Sequence, residues 1–198
     1  MFGTSDLIAL LGSRICHDLI SPIGAISNGV ELLMMDGGSM GPEIALIAES
    51  VANANARIQF FRVAFGASSP DQRIGRAEVV SILTDLTRGG RLTIEWRCAN
   101  DLPRREVKLA FLFIQCLETA MAFGGRIIVD QDQGKWSMTG SAAKFKMVQD
   151  LWDGLASNTG LAHINAAQVH FALVQIELQS QNRILTTDIG PTEIAVHF

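Results

Sequence analysis

His17 is followed at once by Asp18, with Ser21 and Pro22 about one helical turn further on. A neutral imidazole is a competent nucleophile near neutral pH, because its ordinary pKa is about 6.5. Attack needs one ring nitrogen free while the other carries the proton. A carboxylate one residue along can hold the ring in that tautomer, or take its proton during attack. An exposed, rigidly mounted pair of this kind suits in-line attack on a phosphoryl group presented by another protein. Metal binding is the weaker reading, because the residue four positions on is Ser21 and not a second His, Cys or carboxylate. His163, His170 and His197 stand without such company and read as structural.

The pair has to be held clear of a core, and the surrounding pattern does this. Over residues 7–35, apolar side chains fall at Ile8, Leu11, Ile15, Leu19, Pro22, Ile26, Val30 and Leu33, spaced three or four apart as on one face of a helix. At about 100° per residue, His17 lies roughly 170° from the centre of that stripe, sharing the outward face with Ser13, Ser21, Gly24 and Asn28. Pro22 removes one backbone hydrogen bond and predicts a kink. Ile20 and Gly24 flank the histidine on an otherwise polar face, which suits a docking partner. Arg14, Ile20, Ser21, Gly24 and Asn28 are therefore the candidate partner-contacting residues.

A breaker at residues 36–42 leads to a second helix starting at Pro42. It carries Ile44, Ile47, Val51, Ala54, Ile58, Phe61 and Phe65 in the alternation of a bundle seam. Two helices joined by a short loop form an antiparallel hairpin. One hairpin leaves half its apolar surface wet; two copies in a four-helix bundle would cover it, so a homodimer is expected. The alternative is that the rest of the chain covers the stripe.

Residues 66–71, Gly-Ala-Ser-Ser-Pro-Asp, read as a linker between a segment of residues 1–66 and one of 72–198. Beyond it the pattern predicts helices over 78–88, 108–123, 143–155 and 166–179. Strands are predicted over 91–96, 126–131, 135–139, 183–188 and 192–198. This is an α+β layer, a mixed sheet with helices on one face. A net charge of −4 in 198 residues argues against nucleic-acid binding. No apolar run approaches the ~18 residues of a membrane span, and the N-terminus lacks the basic start of a signal peptide. Three cysteines without a CxxC pair fit reduced thiols, with Cys116 in an apolar run, and a cytoplasmic location.

The run Ser13-Arg14-Ile15-Cys16-His17-Asp18-Leu19-Ile20-Ser21-Pro22-Ile23-Gly24-Ala25-Ile26 resembles the H-box of sensor histidine kinases, in which His, an acid, a small polar residue and Pro follow in this order. Through CHDLISPIGAISNGVELL the whole chain resembles the ChpT-type histidine phosphotransferases of alphaproteobacteria. The resemblance implies an N-terminal helical hairpin of the dimerisation and histidine phosphotransfer type, followed by a degenerate kinase ATPase-like α/β sandwich. It implies that His17 accepts the phosphoryl group, Asp18 assists, Ser21 can orient water for dephosphorylation, and Pro22 kinks the helix. The aligned kinase N-box stretch is Gln115-Cys116-Leu117-Glu118-Thr119-Ala120-Met121-Ala122-Phe123, where Thr119 replaces the Mg2+-holding asparagine and Ala122 the lysine. Glycine-rich nucleotide loops are also missing, so no ATP and no cofactor of the chain's own are expected. Mg2+ would come from a partner receiver domain. The implied partners are the receiver of a hybrid kinase (CckA-like) and response regulators (CtrA-like and CpdR-like), linked through His17 in a two-component phosphorelay. An ATP-dependent kinase would need the missing motifs. A non-catalytic dimer that sequesters a response regulator is the alternative.

Overall fold

The computed structural model describes residues 3–35, 42–157, 161 and 163–198. The expected breaker at 36–42 lies outside them apart from Pro42. In chain order the elements are α1 (Thr4–Met35), α2 (Pro42–Ala64), β1 (Arg73–Ile74), α3 (Arg76–Thr87), β2 (Leu92–Trp96), β3 (Leu102–Pro103), α4 (Arg104–Ala120), β4 (Gly125–Asp132), β5 (Lys135–Ser141), α5 (Gln149–Ser157), α6 (Val169–Ser180), β6 (Thr186–Ile189) and β7 (Glu193–His197). A short 3-10 turn, Ala166–Gln168, leads into α6.

Helices α1 and α2 form the hairpin. Ile47 packs over Gly29, where a Cβ would sit 2.6 Å from the Ile47 side chain, while Arg57 reaches Asp18. That crossed order is antiparallel, and the missing side chain at Gly29 is what lets the helices close there. The far end of α2 enters the main core: Phe60, Phe61, Val63 and Ala64 are buried, and the Phe60 ring stacks on Phe111 of α4 at 4.8 Å. Helix α4 is buried on nearly every side, from Val107 to Leu117, as expected for a helix apolar all round.

The sheet order is β2-β4-β5-β7-β6, with β2 and β4 parallel and the remaining pairs antiparallel. Ile127, Val129, Trp136, Met138, Ile194 and Val196 face the helices and are buried, whereas the alternating residues Arg126, Ser137 and Thr139 reach solvent. The sheet is thus covered on one face, the α+β arrangement expected. Trp136 donates its indole N–H to Glu106 at 2.9 Å, and Arg183 pairs with the same carboxylate, fastening the β4–β5 hairpin to the start of α4. Gln133 and Gly134 both take positive φ, the two-residue turn that matches strand twist.

Four expectations need correction. Residues 143–148 are not helical, and only Gln149–Ser157 forms α5. The Lys146 N–H instead donates to the Ala120 carbonyl at 2.7 Å, satisfying one of the acceptors left open at the end of α4. Helix α4 starts earlier, at Arg104 directly after Pro103, and ends at Ala120. Residues 183–185 belong to the exit of α6, where Arg183 N–H bonds Leu178 carbonyl, so β6 begins only at Thr186. By length and composition alone, Ser5–Met34 does reach what a membrane span requires. Its polar positions 13, 17, 21 and 28 and its packing on α2 give it the character of a bundle helix.

The seam is only partly covered within one chain. Leu7 and Ile15 rest against the core, and Ala54 and Phe61 are buried, but Ile8, Val30, Ile44, Val51 and Ile58 remain exposed. Phe60 is the joint between hairpin and sheet layer, so Phe60→Ala should cost about 3–5 kcal/mol of stability. Urea unfolding of both proteins measures this; a loss below about 1 kcal/mol would show that the two parts do not share a core.

Candidate active site around His17

The face of α1 that carries His17 turns away from α2, and the imidazole is 84% exposed. Its Nδ1 lies 3.2 Å from Asp18 Oδ1. When the ring proton sits on Nδ1, directed at that oxygen, Nε2 keeps its lone pair. Asp18 itself is withdrawn, at 8% exposure. Its Oδ2 faces two guanidiniums: Arg14 Nε at 2.9 Å, an ion pair without the alignment of a hydrogen bond, and Arg57 Nη1 at 3.8 Å. Arg57 also donates through Nε to Asn53 Oδ1 at 3.1 Å. Arg14 donates through Nη1 to the Ala167 carbonyl at 3.4 Å, in the turn before α6.

Ile20, Ser21, Gly24 and Asn28 are exposed beside His17, and Ile20 is 68% accessible. A Cβ built on Gly24 would meet nothing within 4 Å, so the chain's own packing does not require a glycine there. Arg14 differs from this group: its guanidinium turns inward and is only 18% exposed. Pro22 is buried while α1 continues through it, which leaves the Asp18 carbonyl without its intrahelical donor. Below lies a cleft of about 290 Å³ between Asp18, Ser21 and Pro22 on α1 and Ser50, Asn53 and Arg57 on α2.

Sequence reasoning missed Arg57, Ala167 and Glu118. Arg57 sits among apolar seam residues with no local pattern, and a main-chain carbonyl has no sequence signal at all. Glu118 reaches solvent yet lies close enough to the site to feel its charges. Surrounding protein pushes its carboxyl up, while Arg57 and Arg14 pull it down, and water tempers the push.

Thr119 and His170 form a second pair. The Thr119 hydroxyl donates to the Gln115 carbonyl at 2.8 Å, so it accepts from His170 Nε2–H at 3.1 Å. His170 is fully buried, its Nδ1 has no partner, and burial, assisted by Arg14, lowers its pKa to about 3. The Thr119 hydroxyl is therefore committed within the helix layer. Among the described residues no group of three His, Cys, Asp or Glu converges as metal ligands. Burial also raises the thiols of Cys98, to about 12, and Cys116, while Cys16 is exposed.

A helical hairpin thus presents an exposed His–Asp pair, mounted on a one-sided α+β layer. Residues 76–193, well over half the chain, match the family model described as the histidine phosphotransferase C-terminal domain. The chain belongs to the histidine phosphotransferase family. It is 43% identical over 126 residues to the protein phosphotransferase ChpT of Brucella abortus (strain 2308), an alignment covering 63% of this chain and 60% of that relative's length. A bacterial phosphotransferase solved at 1.7 Å superimposes with a TM-score of 0.83 at 29% identity, over 100% of this chain and 97% of that one. The histidine kinase domain of the blue-light activated kinase of Erythrobacter litoralis EL346 gives a TM-score of 0.46 at 14% identity, over 98% of this chain and 91% of that one.

Because His170 is held neutral in the fold, the unfolded chain takes up its proton below pH 6.5 whereas the folded chain does so only near 3. Its contribution is intact above pH 6.5 and is lost as pH falls towards 3, by at most about 1.4 kcal/mol per pH unit. The stability of His170→Gln should therefore fall less steeply than that of the parent between pH 6.5 and 4. Parallel acid-titration curves would rule the burial effect out.

Proposed function

We propose that this chain is a relay phosphotransferase whose phosphoryl carrier is His17, working as a cytoplasmic homodimer in a two-component phosphorelay. In this reading residues 1–66 supply the dimeric transfer hairpin, and residues 72–198 a degenerate ATPase-like domain. The observation that carries it is the geometry of His17: a ring 84% exposed on a stiff helix, with Nδ1 facing a withdrawn carboxylate at 3.2 Å.

The chemistry follows from that arrangement. The Nε2 lone pair attacks the phosphorus of an aspartyl phosphate on a receiver domain. The bond to the aspartate oxygen breaks with its electron pair on the donor carboxylate. The ring becomes positively charged as it is phosphorylated, and Asp18 Oδ1, next to Nδ1–H, stabilises that charge. Reversal on a second receiver delivers the group to a response-regulator aspartate. Mg2+ and a lysine belong to the receiver, so the chain needs only to position its nucleophile.

The donor would be the receiver of a hybrid histidine kinase, CckA-like by family analogy, and the acceptors CtrA-like and CpdR-like regulators. Ile20, Ser21, Gly24 and Asn28 offer an exposed face for them, and by family analogy Ser21 would orient water for dephosphorylation. The commitment of the Thr119 hydroxyl to Gln115 and His170 supports a protein without ATP-dependent autophosphorylation. The exposed seam residues Ile8, Val30, Ile44, Val51 and Ile58 support the dimer, in which a second hairpin would cover them.

Incubation with a phosphorylated receiver should place acid-labile, base-stable label on the wild type and none on His17→Ala. Label persisting in His17→Ala would defeat the assignment. A His17→Ala protein that still inhibits a regulator as well as the wild type would favour sequestration without catalysis.

A further inference from the structure

We propose that Arg14 is a positioning residue for phosphotransfer: by bridging Asp18 and the main chain of the Ala166–Gln168 turn, it lets the C-terminal layer set the orientation and tautomer of His17. This rests on His17 being the phosphoryl acceptor.

Three features argue for it. Arg14 lies on the acceptor helix one turn before Asp18, yet its guanidinium points into the molecule, which a side chain serving an incoming partner would not do. Its planar fork joins two groups at once, the Asp18 carboxylate through Nε and the Ala167 carbonyl through Nη1, a geometry that an ammonium cannot reproduce. The anchor at the far end is itself fixed. Gln168 N–H donates to the Asn165 carbonyl at 3.0 Å, and Asn165 N–H donates back to Gln168 Oε1 at 3.2 Å.

Arg57 approaches the same carboxylate, but at 3.8 Å, from α2, and with its Nε already held by Asn53. The hairpin thus supplies one guanidinium and the helix layer secures the other. Asp18 is too withdrawn for water to hold its carboxylate in place, so its direction is set by these two cations. Whatever turns the carboxylate turns the acceptor for Nδ1–H, and with it the availability of Nε2. A domain that has lost its nucleotide site keeps, through Arg14, a direct hold on the reacting histidine.

The test is made on the full chain with 15N NMR of the imidazole nitrogens and with receiver-to-His17 transfer kinetics. In the wild type the His17 ring should carry its proton mainly on Nδ1. Arg14→Met should shift the ring towards the Nε2–H tautomer and lower kcat about tenfold, with KM for the phosphorylated receiver unchanged. Arg14→Lys should restore charge but only part of the tautomer preference. Gln168→Ala, which loosens the turn without touching α1, should shift the ring signals in the same direction by less, and serves if Arg14→Met does not fold. Unchanged ring nitrogens in both variants would overturn the proposal, as would a raised KM with unaltered kcat, which would make Arg14 a partner contact. If the wild type carries no label from any receiver, the relay reading fails while the tautomer measurement still decides the role of Arg14.

Discussion

A carboxylate withdrawn from water has to be matched by cations and donors, and the site is organised by that requirement at Asp18. Its three polar neighbours come from different places: the ring of His17 from the preceding residue, Arg57 from α2, and Arg14 from one turn back on α1. The two guanidiniums are constrained by something else, Arg57 by Asn53 and Arg14 by a main-chain carbonyl 153 residues away in sequence. The arrangement at His17 therefore exists only when the hairpin is closed on itself and docked on the turn before α6. Local sequence places His17 and Asp18 side by side; tertiary structure gives their contact its direction.

Docking depends in turn on α4. Almost every side of that helix is buried, by the sheet below and by α2 and α6 alongside, and the Phe60–Phe111 stack joins it to the hairpin. Its faces are taken up by the chain's own packing. Thr119 bonding back to Gln115 and to a neutral, buried His170 is the local form of the same closure.

Much of this was legible in the residues. Hydrophobic spacing located α1, α2 and the sheet, and the helical wheel gave the outward position of His17, because both follow from periodicity alone. What failed depended on distant partners. Residues 143–148 have helical spacing but serve to satisfy the open end of α4, and the two-residue strands β1 and β3 are too short to carry a pattern. The inward turn of Arg14 could not be read from a wheel, since a long side chain reaches around the helix to find its partner. The Ala167 carbonyl could not be read at all.

Gly24 has one more consequence. Nothing in this chain would touch a methyl group there, so the fold itself would accept alanine or something larger without distortion. In the function proposed above, the open space beside Gly24 would let a receiver domain come to rest close against the helix.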